Sequence, residues 1–158
     1  MKPVIILAAL AATAALPATA QAGSRQQATV LLSEDPEGRK IEQEWGFADA
    51  VITGDTIYLS GVVAGLRPGE TDLKLPYERA FARIGEILKR SGASWDDVVD
   101  ITTYHTDLTS QMPAIIAVKN KYIVAPPPAW TAIGVSRLIP NSGITEIKMI
   151  AKLPRSPR

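Results

Sequence analysis

Apolar residues recur along this chain with two different periods, and the switch between them marks out its elements. From Pro76 to Arg90 they return every three or four positions, at Ala80, Phe81, Ile84, Ile87 and Leu88. Glu78, Arg79, Arg83, Glu86, Lys89 and Arg90 fall mostly elsewhere on the wheel. That spacing predicts an amphipathic helix, with Pro76 in its first turn, where no amide bond is lost, and Ser91-Gly92 as its stop. A second helix is predicted from Met112 or Pro113 to about Ile123, with Ile115, Ile116, Lys119 and Tyr122 on adjoining turns. Pro126-Pro127-Pro128 ends it and leads out in an extended conformation.

Elsewhere β-branched and aromatic residues predict strands. Ala28 to Leu32 reads as a short first strand and Ser33 to Gly38 as a loop, because Pro36 and Gly38 break regular structure. Phe47 to Ile52 and Thr56 to Val63 form a hairpin about Thr53-Gly54-Asp55, and Ala64 to Asp72 is a second loop. Trp95 to Val99 leads into a strand over Asp100 to Asp107, and the last two strands are Trp130 to Arg137 and Ile144 to Leu153. Helices interleaved with strands in a short chain predict an α+β fold, with one sheet and both helices on one face.

The N-terminus carries a different pattern. Lys2 precedes an almost wholly apolar run from Val4 to Leu16, and Ala20-Gln21-Ala22 is an A-x-A cleavage site, so residues 1–22 read as a secretion signal. The alternative is an uncleaved N-terminal anchor. Cleavage after Ala22 implies an exported protein, periplasmic or secreted, with no membrane partner once the signal is gone. The remaining chain divides into a lead-in with the first strand at 23–45, one domain at 46–154, and a tail at 155–158.

Composition narrows the chemistry. There are no cysteines, so disulfides, thiolate nucleophiles and zinc-thiolate sites are excluded. The formal charge is +1, from 17 Lys+Arg against 16 Asp+Glu, and removal of the signal takes away only Lys2. A near-neutral chain without a basic face argues against nucleic acid as a partner. His105 is the single histidine. It lacks companions for a metal site, and Asp107, two residues along, is placed to orient its ring in a structural role. No nucleophile triad, phosphate-binding loop or dinucleotide fingerprint is present, and no metal or cofactor is expected.

Five segments in order carry a resemblance: Ala48-Asp49-Ala50-Val51, Tyr58-Leu59-Ser60-Gly61, Ser91-Gly92-Ala93-Ser94, Asp96-Asp97-Val98-Val99, and the final pair, Pro126 to Arg137 with Ile144 to Ala151. From about Phe47 to Leu153 the chain resembles the Rid family (the YjgF/UK114 group), whose best-known members hydrolyse reactive enamines and imines. The resemblance implies a chorismate-mutase-like arrangement, one mixed, mainly antiparallel sheet with two helices on one face. It also implies a homotrimer with clefts between subunits. It carries Glu146 over as the carboxylate that positions water, and Phe47, Ser60, Gly61, Trp130 and Ala132 as the ligand-binding set.

Trp130 departs from the pattern, because the deaminating members hold an arginine there that grips a substrate carboxylate. An indole has one N–H donor and no charge, and losing a charge-assisted pair removes about 1.5 to 3 kcal/mol of ligand binding. Arg137 is seven residues further on, roughly 23 Å along an extended strand and on the opposite face, so it is no substitute and takes a structural reading. Activity on 2-imino acids is therefore not expected, and a flat apolar wall favours an uncharged ligand. Glu146 has a second reading as a strand carboxylate paired with Lys148 on the same face. A hydrolase acting on a non-standard enamine or imine and a non-catalytic binder of small molecules both fit these residues. A third reading is an interaction protein whose trimer surface matters.

Overall fold

A computed structural model describes residues 23–154, so the proposed signal at 1–22 and the tail at 155–158 lie outside the described residues. Its elements run β1 (Thr29–Leu31), α1 (Pro36–Trp45), β2 (Ala50–Thr53), β3 (Thr56–Leu59), β4 (Val62–Gly65), α2 (Lys74–Arg90), β5 (Val98–His105), α3 (Leu108–Tyr122), β6 (Ala129–Gly134) and β7 (Gly143–Lys152). One sheet has the order β1-β2-β3-β7-β5-β6, with β4 also paired to β7. Every pairing is antiparallel except β5 with β6. β7 is the hub: β5 runs along one edge, while β3 and then β4 share the other.

Alternation along β7 decides its two faces. Thr145, Ile147, Met149 and Ala151 are buried beneath the helices, whereas Glu146, Lys148 and Ile150 point the other way. Tyr77, Ala80, Phe81, Ile84, Ile87 and Leu88 of α2, with Ile115 and Val118 of α3, close over the first set in one apolar core. Phe81 stacks on Trp95 at 5.6 Å and on Tyr122 at 5.3 Å, joining α2, the turn before β5 and the end of α3. Among the described residues no helix is long and apolar enough to cross a membrane.

Among the described residues three α-helices are present where the sequence predicts two. The loop expected at Ser33 to Gly38 is the start of α1: Asp35 caps it, accepting from the Gly38 amide at 2.7 Å, and Pro36 takes the first turn. What α1 buries is Glu42, not an apolar stripe, so no hydrophobic period announces it. α3 also starts earlier than predicted, at Leu108. Asp107 accepts from the Thr109 amide at 3.1 Å and the Ser110 amide at 3.3 Å, which makes it a helix cap and not the partner of His105. The predicted strand Thr56 to Val63 is two strands broken at Ser60-Gly61, and β6 stops at Gly134, leaving Arg137 exposed in the following loop.

Candidate functional site

The break at Ser60-Gly61 opens the site. β3 ends on β7 at the Tyr58–Ile150 pair, and β4 begins at the Val62–Ile147 pair, so the chain changes course beside the middle of β7. The Ser60 amide donates to Asp49 O at 3.0 Å, and its hydroxyl donates to Ala48 O at 2.6 Å. The hydroxyl hydrogen is thus committed to the backbone. Asp49 in turn accepts from Arg83 at 2.6 and 2.8 Å and from Arg90 at 2.9 Å, which ties the break to α2. The Ala48-Asp49 and Ser60-Gly61 segments are therefore two halves of one brace.

Glu146 lies against the Cα of Gly61: a Cβ added there would meet Glu146 Oε1 at 1.9 Å and Cδ at 2.6 Å. Only glycine leaves this space to the carboxylate. Among the described residues no hydrogen bond or ion pair engages the Glu146 carboxylate, and none links it to Lys148. Together with Val51, Tyr58, Leu59, Ser60, Tyr104, Val135, Leu138 and Lys148 these two residues line a cavity of about 510 Å³ on the face of the sheet away from the helices. A carboxylate without a donor, at the wall of a cavity wide enough for a small molecule, is available to bind and orient water. Gly61→Ala is expected to push that carboxylate aside and lower any Glu146-dependent turnover roughly 10- to 100-fold, since displacements near 1 Å are that costly. The clash is with a flexible side chain, so a thermal melt should show a stability change under about 1 kcal/mol.

Ser60, Gly61 and Glu146 are thus brought together, and Phe47, Trp130 and Ala132 lie apart from them. Phe47 follows the C-cap of α1, is 44% exposed, and does not line the cavity. Trp130 pairs with Ile101, which pairs with Met149, so the indole belongs to the helix-facing row. Ile133, Tyr104 and Glu146 form a row on the opposite face. The Trp130 Nε1 donates to Thr103 Oγ1 at 3.0 Å, and Lys119 Nζ sits 5.2 Å from the ring centroid. Ala132 follows on the same strand and is exposed, because β6 is the edge of the sheet. Within one chain Trp130 and Glu146 face opposite sides of the sheet. They can border one cleft only if two copies of the chain form it.

Tyr58, Tyr104 and Lys148 were not singled out as cavity residues in the sequence, although the two-residue spacing of Glu146 and Lys148 already put the pair on one face. Among the described residues no group of three or more His, Cys, Asp or Glu is placed to hold a metal ion.

The Thr103 hydroxyl that receives the indole N–H continues into a buried polar network. It lies 2.8 Å from His105 Nε2, while His105 Nδ1 is 3.2 Å from Gln111 Oε1 and 3.1 Å from Thr145 Oγ1. Tyr77 joins through Thr145 at 2.7 Å. One proton arrangement satisfies this set with a neutral imidazole carrying its hydrogen on Nδ1: Thr103 donates to Nε2, and Nδ1 donates to Gln111. His105 is fully buried, and burial holds its pKa below the ordinary value despite the Gln111 bond. The unfolded chain takes up a proton near pH 6.5 that the folded chain refuses. Stability is therefore expected to be flat with respect to His105 above about pH 6.5 and to fall below it, by up to about 1.4 kcal/mol per pH unit. Urea melts between pH 5 and 7.5 should show that slope, and His105→Gln should lack it.

Comparison with known proteins places this geometry in a family. The model described as Endoribonuclease L-PSP matches residues 37–153, a span that begins inside α1. The chain is 37% identical over 124 residues to the RutC family protein YjgH of Escherichia coli, covering 75% of this chain and 92% of that one. It is 30% identical over 108 residues to a 2-iminobutanoate/2-iminopropanoate deaminase of Dermatophagoides farinae, covering 66% of this chain and 83% of that one. A Mycobacterium tuberculosis structure described as a member of the YjgF/YER057c/UK114 family superposes with a TM-score of 0.67 at 25% identity, covering 79% of this chain and 98% of that one. With the family match spanning most of the chain and relatives at 30% identity or more, the chain belongs to the Endoribonuclease L-PSP family, the YjgF/Rid group.

Proposed function

We propose that this chain is an exported hydrolase of the Rid type, acting on an enamine or imine that is not held by an arginine at position 130. The observation that carries this reading is the unpartnered Glu146 carboxylate over Gly61 at the wall of the cavity. In hydrolysis the water oxygen bonds to the carbon of the protonated C=N group while Glu146 takes one water proton, giving a neutral carbinolamine. That proton then goes to the nitrogen, and as the C–N bond breaks the hydroxyl proton passes to Glu146 or solvent, leaving a carbonyl compound and ammonia. An enamine enters the same path after protonation at carbon. Deaminase names among the relatives support the reaction class. The opposed orientation of Trp130 and Glu146 supports a site shared between copies, and a homotrimer is the assembly proposed.

Protein comprising residues 23–158 should convert at least one of a panel of enamines, some carboxylated and some neutral, to carbonyl product faster than buffer. Absence of any such rate across the panel would overturn the reading. Light scattering should give three times the chain mass, and a clean monomer would remove the shared cleft. The pattern of residues 1–22 supports export; N-terminal sequencing of periplasmic material should begin at Gly23.

A second reading keeps the cavity without the chemistry: a binder that holds a small molecule and releases it unchanged. The engagement of the Ser60 hydroxyl by Ala48 O and of the Trp130 indole by Thr103 favours it, since neither group is left free to react. Ligand-induced thermal stabilisation without product formation would select it.

A further inference from the structure

Lys148 is a second charge at the cavity wall, and among the described residues no ion pair engages it. Its side chain leaves β7 two residues after Glu146 on the same face, and both residues line the cavity. Among the described residues its ammonium has neither a hydrogen bond nor an ion pair, in contrast to Lys121, held by Glu78 at 2.7 Å, and Lys152, held by Asp55 at 2.8 Å. Tyr58 of β3 and Tyr104 of β5 also line the cavity, one from each strand that flanks β7. The cavity therefore carries a negative and a positive group on one face, neither of them in an ion pair among the described residues, between two phenols.

We propose that Lys148 is the anion anchor of this site, so that the ligand carries a carboxylate or similar anionic group which Lys148, and not residue 130, holds. This rests on the reading of the cavity as the reaction site. Two residues along a strand separate the backbone origins of the two charges by about 7 Å. An anionic group beside Glu146 would be repelled, whereas one at Lys148 is attracted, so the ligand's anion lies several bonds from the carbon that water attacks. An anionic group several bonds from the C=N carbon spans that separation more readily than a carboxylate bonded directly to it. The substrate class becomes enamines or imines with a remote anionic group.

Lys148→Met conserves length and removes charge, and Lys148→Arg keeps charge. With matched enamines differing only in a remote carboxylate or its carboxamide, Lys148→Met should raise KM for the carboxylate about tenfold or more at similar kcat. KM for the carboxamide should rise several-fold less than for the carboxylate, and Lys148→Arg should retain most of the preference. Equal effects on the two substrates, or none, would overturn the proposal. A binding arm separates it from the hydrolysis reading: calorimetric binding of benzoate to Glu146→Gln should weaken about tenfold on adding Lys148→Met. If that weakening is seen without turnover by wild-type protein, the anchor stands and hydrolysis fails. If benzoate binding ignores Lys148, the anchor fails whatever the turnover.

Discussion

Replacing Glu146 with glutamine is expected to lower kcat on any converted enamine by roughly 100- to 10,000-fold, the range that a positioned acid or base supplies. The substitution keeps size and removes the capacity to take a proton from water. No hydrogen bond or ion pair to the carboxylate is lost, so the folded protein should melt within about 0.5 kcal/mol of wild type. KM should change little, because the ligand's contacts to the tyrosines and Lys148 are untouched. Paired kinetics and thermal melts check the effect: a kcat loss with an unchanged melt assigns Glu146 to the reaction, and an unchanged kcat removes it.

Asp49→Ala is expected to give a large loss of stability, about 3 kcal/mol, or roughly 12 °C in Tm for a domain of this size. The Asp49 side chain is only 11% exposed and is held by both Arg83 and Arg90. Removing it strands two cations against the β2–β3 region. Arg90 keeps its bond to the Leu32 carbonyl, and Arg83 can turn toward Glu42, which keeps the loss near the lower end for a broken buried pair. Glu42 itself has its pKa raised, chiefly by burial. Asp49→Asn, which keeps an acceptor, should lose less. Because the Asp49 side chain anchors to α2 the segment whose main-chain carbonyl receives the Ser60 amide, Asp49→Ala should also blunt turnover in the fraction that remains folded. Urea melts of the two variants, with activity measured at low temperature, test both parts.

Much of this architecture is legible in the sequence because packing follows periodicity. Ala80, Phe81, Ile84, Ile87 and Leu88 announce α2, and alternation along Ile144 to Leu153 already separates Glu146 and Lys148 from the buried residues. What stays hidden obeys other rules. α1 buries a carboxylate, so its cap is the only signal, and a Pro-Glu-Gly sequence after that cap resembles a loop. The split at Ser60-Gly61 lies within a run of strand-forming residues, and the side chain packed against it, Glu146 over Gly61, comes from a residue 85 positions away. Spacing gives Trp130 the wrong chemistry for a carboxylate clamp. Its direction follows only from its pairing with Ile101, a parallel contact that the sequence does not announce. Lys148 reads as a partner for Glu146 on spacing alone, and only the arrangement in space shows the two charges unpaired.

A crystal structure of Glu146→Gln soaked with a slowly converted enamine tests the central claim most directly, because it reports where the ligand sits and in which direction. The account predicts density in the cavity, with the C=N carbon within about 3 to 3.5 Å of residue 146 or one water from it, and the anionic group toward Lys148. Density for the ligand elsewhere, with the Gly61–residue 146 cavity empty at a concentration that saturates the protein in solution, would contradict it.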